Sequence, residues 1–196
     1  MLERMGIKMT KKATIYAWVL VLALFAAGFT YFSSPSRAEV TAGSDGPVYL
    51  YDGTYTLQDG ANKVWQFEEE EIVAASAADN LNATFNCPSD ATGAYTFISD
   101  RGKERSGTNE WNAAAVQIFP KGTKNLLQVN FSPASNIYSI LLPAQSIKSA
   151  GGQYSLGVAC TKNNGVTVTN AWYRYIDVTA GTGAWTALPN GDGSGG

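Results

Sequence analysis

From residue 48 onward most apolar segments run only about four to six residues, alternating in the period of a half-buried strand, and Gly, Asn, Asp or Pro cuts each one off. Val48–Tyr51 and Lys63–Phe67 alternate, with the turn dipeptides Asp52-Gly53 and Asp59-Gly60 between them. Leu81–Cys87 alternates again and stops at Pro88, which has no N–H for a ladder. Tyr95–Ile98, Ala114–Phe119, Leu126–Phe131 and Ile137–Leu142 follow. The best-formed strands are Tyr154–Thr161 and Val166–Val178, joined by Lys162-Asn163-Asn164-Gly165, whose Asn-Gly is a strong hairpin signal. Ala184–Leu188 closes the series. Helical expectations are confined to two or three turns over Glu68–Ala78 and one over Pro143–Ala150. About nine or ten short strands, with turns every 8–12 residues or so, predict an all-β, antiparallel β-sandwich.

A different grammar precedes it. Arg4, Lys8, Lys11 and Lys12 lead into an apolar run, Ile15–Phe29, and then Ser33-Ser34-Pro35-Ser36-Arg37-Ala38. Ser36 and Ala38 occupy the −3 and −1 positions of a signal-peptidase site, so cleavage between Ala38 and Glu39 is expected. The alternative is a retained anchor helix through residues 15–32, which just reaches spanning length. Both place the remaining chain at the cell surface or in the extracellular medium. The expected domains are therefore 1–38, a signal peptide or membrane anchor; 39–189, the sandwich; and 190–196, a Gly-rich flexible tail.

Beyond residue 38 the basic residues fall from 14 to 9 and the acidic ones from 16 to 15, a net charge of −6. That sign opposes nucleic acid as a partner, and membrane contact is expected only through residues 15–32 if they stay attached. The chain has no histidine, which removes imidazole-based triads and zinc sites. Its two cysteines, Cys87 and Cys160, lie in the exported part and are expected to form one disulfide, stabilising the fold by about 4 kcal/mol. No cofactor or metal is expected. Glu68–Glu71 is a solvated charge run, and Asp45, Asp52 and Asp59 are turn residues.

Two stretches carry a resemblance. One is Asn86-Cys87-Pro88 with Thr92–Glu104; the other is Ala150–Thr161 with Asn164–Val168 and Ala171–Thr179. Together they resemble the extracellular Ig-like modules of actinobacterial surface and secreted proteins, over about Gly46 to Leu188. The resemblance implies an Ig-like sandwich in which a strand ending in Cys-Pro pairs with a late Gly-x-Tyr-x-Leu strand. Tyr154 stands six residues before Cys160, not two, so a tyrosine corner is not implied. Leu188-Pro189-Asn190-Gly191 likewise departs from a wall-sorting signal.

The candidate ligand-binding residues are Trp111, set among Asn109, Glu110 and Asn112, and the charged loop residues Arg101 and Glu104. Trp65, Trp172 and Trp185 fall on alternating positions and are expected in the core. The function expected is that of a secreted or cell-surface Ig-like module with a structural or adhesive role, no catalysis, and an extracellular protein or glycan as partner. The alternatives are a carbohydrate-binding module using exposed aromatics and, third, a histidine-independent hydrolase built on paired carboxylates.

Overall fold

The computed structural model describes residues 40–58, 63–133 and 144–191, which fall in one compact unit spanning Ala38–Gly196. The expected signal or anchor segment 1–38, the cleavage site at Ala38 and Glu39, the Asp59-Gly60 turn and the expected strand Ile137–Leu142 lie outside the described residues.

Among the described residues, ten strands and one short helix follow in order: β1 (Tyr49–Tyr51), β2 (Val73–Ala75), β3 (Phe85–Asn86), β4 (Gly93–Asp100), β5 (Ala113–Gln117), β6 (Asn125–Leu126), β7 (Val129–Asn130), α1 (Gln145–Ala150), β8 (Gly152–Lys162), β9 (Thr167–Val178) and β10 (Trp185–Ala187). They form a five-stranded sheet, β10-β9-β8-β4-β5, a three-stranded sheet, β1-β2-β7, and a two-stranded pair, β3-β6. Every named pairing is antiparallel. The fold is all-β, consistent with a sandwich.

The β8–β9 hairpin organises it. Asn163 and Asn164 both adopt positive φ, at 52° and 56°, and Gly165 follows at 90°, so the local Asn-Asn-Gly chemistry makes the reversal. Pairing then runs from Lys162↔Thr167 to Gly152↔Val178, with an irregularity between Cys160 and Thr161. On one face Leu156, Val158 and Cys160 meet Trp172, Ile176 and Val178 in the main core. The smaller sheets add Leu50, Ala74 and Val129, and Phe85 and Leu126. Each fully buried Leu, Ile, Val or Phe contributes about 1.5–3 kcal/mol. Trp65 bridges Trp185 through paired backbone hydrogen bonds, and their rings stack at 5.6 Å, so both belong to the core as expected, with Trp172.

Several local expectations fail, among them Lys63–Phe67, which keeps only an isolated bridge at Trp65. No helix occupies Glu68–Ala78, because Ile72 and Ala74 are buried and β2 pairs with β1 on one side and β7 on the other. Pairing on both edges outweighs weak helical propensity. The expected strand Leu126–Phe131 breaks into β6 and β7 at Gln128, whose φ is 49°. Leu81–Cys87 keeps only Phe85 and Asn86 in a strand. The expected turn of helix near residue 150 is present as α1. It stops at Gly151, where φ is 62° and a Cβ would lie 2.5 Å from the Ala180 nitrogen.

The buried domain reaches Asn190, one residue past the expected boundary at Pro189. Its Oδ1 accepts from the Val48 N–H at 3.1 Å and its Nδ2 donates to the Val48 carbonyl at 2.9 Å.

Candidate functional site

Chemistry-bearing side chains gather in two places. The first is the outer face of the five-stranded sheet, where Phe97, Trp111, Tyr173 and Tyr175 form a second cluster. Residues 101–112, which join β4 to β5, fold over this face. Glu104 is driven inward and is only 5% exposed. Its Oε1 accepts from the Ser155 hydroxyl at 2.6 Å and from the Gly102 N–H at 2.9 Å. Ser155 and its cross-strand neighbour Ser99 are fully buried. The Tyr173 hydroxyl donates to the Ala42 carbonyl at 2.7 Å, and burial, then the nearby Glu104 charge, pushes this phenol well above its ordinary pKa. A serine hydrogen-bonded to a carboxylate outlines a nucleophile and base. Here both are sealed from solvent, and the carboxylate oxygen is also held by a backbone donor.

The other charges of the loop tie it down. Arg101 lies 4.2 Å over the Tyr175 ring and 3.9 Å from the Asp177 carboxylate. Arg105 reaches Asp45 at 2.7 Å and the Gly43 carbonyl at 3.0 Å, and Lys103 stands 3.7 Å from Glu110. Arg101 and Glu104 therefore do lie together with Trp111 in one loop, but as its fastenings.

Trp111 itself is a correction. Its ring is 2% exposed, stacked on Phe97 at 4.6 Å, with Nε1 donating to the Lys103 carbonyl at 3.2 Å. Asn109 and Glu110 face solvent while the indole covers an aromatic sheet face that would otherwise be wet. The ring expected to meet a ligand is a packing element. A ring that does face solvent is Tyr55, at 59% exposure and φ 60°, in a turn organised by Asp52. The Asp52 carboxylate accepts from the Thr54 hydroxyl and N–H, the Thr56 N–H and the Gln58 amide, and these bonds lower its pKa to about 2.

The second place is an open concavity of about 610 Å3 where Cys87 and Ser89 face the turn Phe119–Lys124. The disulfide forms its inner edge. Cys87 and Cys160 are joined, as expected, with Cα atoms 5.5 Å apart and a sequence separation of 73. Such a bond is consistent with an oxidising compartment. The concavity escaped sequence reasoning, although a Pro-Lys-Gly-Thr-Lys turn in an acidic chain was a usable signal. The Glu104–Ser155 bond, spanning 51 residues, had no local signal at all.

Among the described residues, no group of three or more His, Cys, Asp or Glu side chains gathers in a way that would hold a metal ion. What fold and site define is a disulfide-clamped all-β domain with a sealed polar cluster and an open lysine-lined concavity. No protein-family model, curated protein or solved structure matches the chain.

Proposed function

We propose that this chain is an exported Ig-like module that works at the cell surface in a structural or adhesive capacity, without catalysis. The observation that carries this is the sealed loop. Glu104 and Ser155 are spent on holding residues 101–112 against the sheet, and the Tyr173 hydroxyl is spent on the Ala42 carbonyl in the segment before β1. The Cys87–Cys160 bond supports export, because disulfides persist where thiols are not kept reduced. Its partner is an extracellular protein or a glycan at the envelope.

Carbohydrate recognition is the second reading, and the concavity at Phe119–Lys124 favours it in place of Trp111. The test is co-sedimentation of the full protein with isolated cell envelopes and with insoluble polysaccharides. Recovery in the envelope pellet is expected. Recovery in the supernatant in every case, together with turnover of model ester or glycoside substrates, overturns the proposal.

A further inference from the structure

We propose that the open concavity beside the disulfide binds a polysaccharide whose sugars carry carboxylates. This rests on the surface-binding role above and names its ligand class.

Charge is the first support. Nine basic residues follow residue 38 in a segment of net charge −6. Six of them pair with carboxylates: Lys63, Arg101, Lys103, Arg105, Lys148 and Lys162. Arg174 is buried and donates to the carbonyls of Val48 and Leu188. Lys121 and Lys124 remain, three positions apart on one turn, with no carboxylate partner among the described residues. In a chain with acids to spare, two unneutralised ammonium groups at one concavity favour an anion supplied from outside.

Rigidity is the second. The Thr123 N–H donates to the Pro120 carbonyl at 3.2 Å, and the Cys87 N–H donates to the Lys124 carbonyl at 3.1 Å. Cys87 is itself bonded to Cys160 in β8, so the turn is fastened to the main sheet and little ordering remains to be done on binding. Lys124 is held with Nζ 4.3 Å from the Phe119 ring centroid.

The lining supplies the chemical class. Phe119, with Lys124 over its ring, and the exposed Pro120 give apolar surface, Ser89 and Thr123 give hydroxyls, and the two lysines give charge. An acidic pyranose presents the complement: an apolar C–H face, a rim of hydroxyls and a carboxylate. A polyglutamate segment would meet the lysines but presents no C–H ring face to the apolar surface. The volume of about 610 Å3 lies within the usual range for small-ligand sites, roughly 300–1,000 Å3.

The test is calorimetric titration of the full protein with oligogalacturonate, against uncharged dextran oligomers and polyglutamate. Lys121→Gln/Lys124→Gln is the variant, with its thermal midpoint as a fold control, because Lys121 is exposed and Lys124 half-buried. Oligogalacturonate is expected to bind, to weaken as salt rises, and to weaken about tenfold in the double variant, while dextran does not bind. Absence of oligogalacturonate binding, equal binding of dextran, or undiminished binding by the variant overturns the proposal. Polyglutamate binding as tightly as oligogalacturonate reassigns the concavity to an acidic protein segment and overturns it too. Envelope sedimentation that persists without oligogalacturonate binding removes only this inference; loss of both removes the surface role as well.

Discussion

Glu104 is the residue on which the covered sheet face turns. Its Oε1 takes two donors, the fully buried Ser155 hydroxyl and the N–H of the exposed Gly102. Glu104→Ala orphans the buried Ser155 hydroxyl and is expected to destabilise the domain by about 2–3 kcal/mol, whereas Glu104→Gln keeps a carbonyl acceptor and costs about 1 kcal/mol. Urea midpoints distinguish them; equal midpoints would show that the carboxylate is not inserted. Tyr173 gives a pH signature on the same face. Its folded pKa is raised, first by burial and then by Glu104, so below the ordinary tyrosine value near 10 both folded and unfolded chains keep the proton. Above that value the unfolded chain loses its proton first, and stability falls as pH rises toward the folded pKa. Tyr173→Phe is expected to flatten this alkaline loss in urea unfolding between about pH 8 and pH 11 without abolishing it. Tyr154, also raised by burial and by Asp100, keeps a share.

Among the elements, β8 and β9 were legible in the sequence because their information is local. Apolar and aromatic residues are dense from Tyr154 to Thr161 and from Val166 to Val178, alternation there is interrupted only at positions such as Asn170 and Arg174, and Asn163-Asn164-Gly165 supplies the positive φ values between them. The short strands were less legible because their neighbours decide them. Val73–Ala75 is a strand only through β1 and β7, and Leu126–Phe131 breaks where Gln128 takes a left-handed conformation. At the site, the cysteine pairing could be read from count and compartment. Trp111 was misplaced because a polar loop sequence does not disclose that its one indole is needed to cover Phe97 and Tyr95. The disulfide joins these two kinds of element, stapling the irregular segment after β3 to the centre of the large sheet. With a sequence separation of 73 between the cysteines, Cys87→Ala/Cys160→Ala is expected to lose about 4 kcal/mol, read as a lower urea midpoint. A midpoint that also ignores reductant in the wild type would mean the bond does not form.

At the scale of the whole molecule, the start and end of the described domain are held together through β9. Arg174 sits on the core-facing side of that strand, 1% exposed, and donates to the Leu188 carbonyl through Nε and Nη2 and to the Val48 carbonyl through Nη1. Asn190 completes the closure by pairing with both backbone groups of Val48 across 142 residues. Val48 opens the segment that becomes β1, so this knot couples the small sheet to the exit of the large one. Such contacts are non-local, which makes them a gauge of global closure rather than of any one strand. Asn190→Ala removes an acceptor from the Val48 N–H and a donor from its carbonyl while leaving the Arg174 contacts in place. The expected cost is about 2 kcal/mol, because a buried N–H is left without a partner. Hydrogen exchange should then quicken at Val48 and in β1 more than in the β8–β9 hairpin, whose ladder does not depend on Asn190. Uniform acceleration would mean that the domain opens only as one unit, and unchanged exchange at Val48 would mean that the closure is not made in solution.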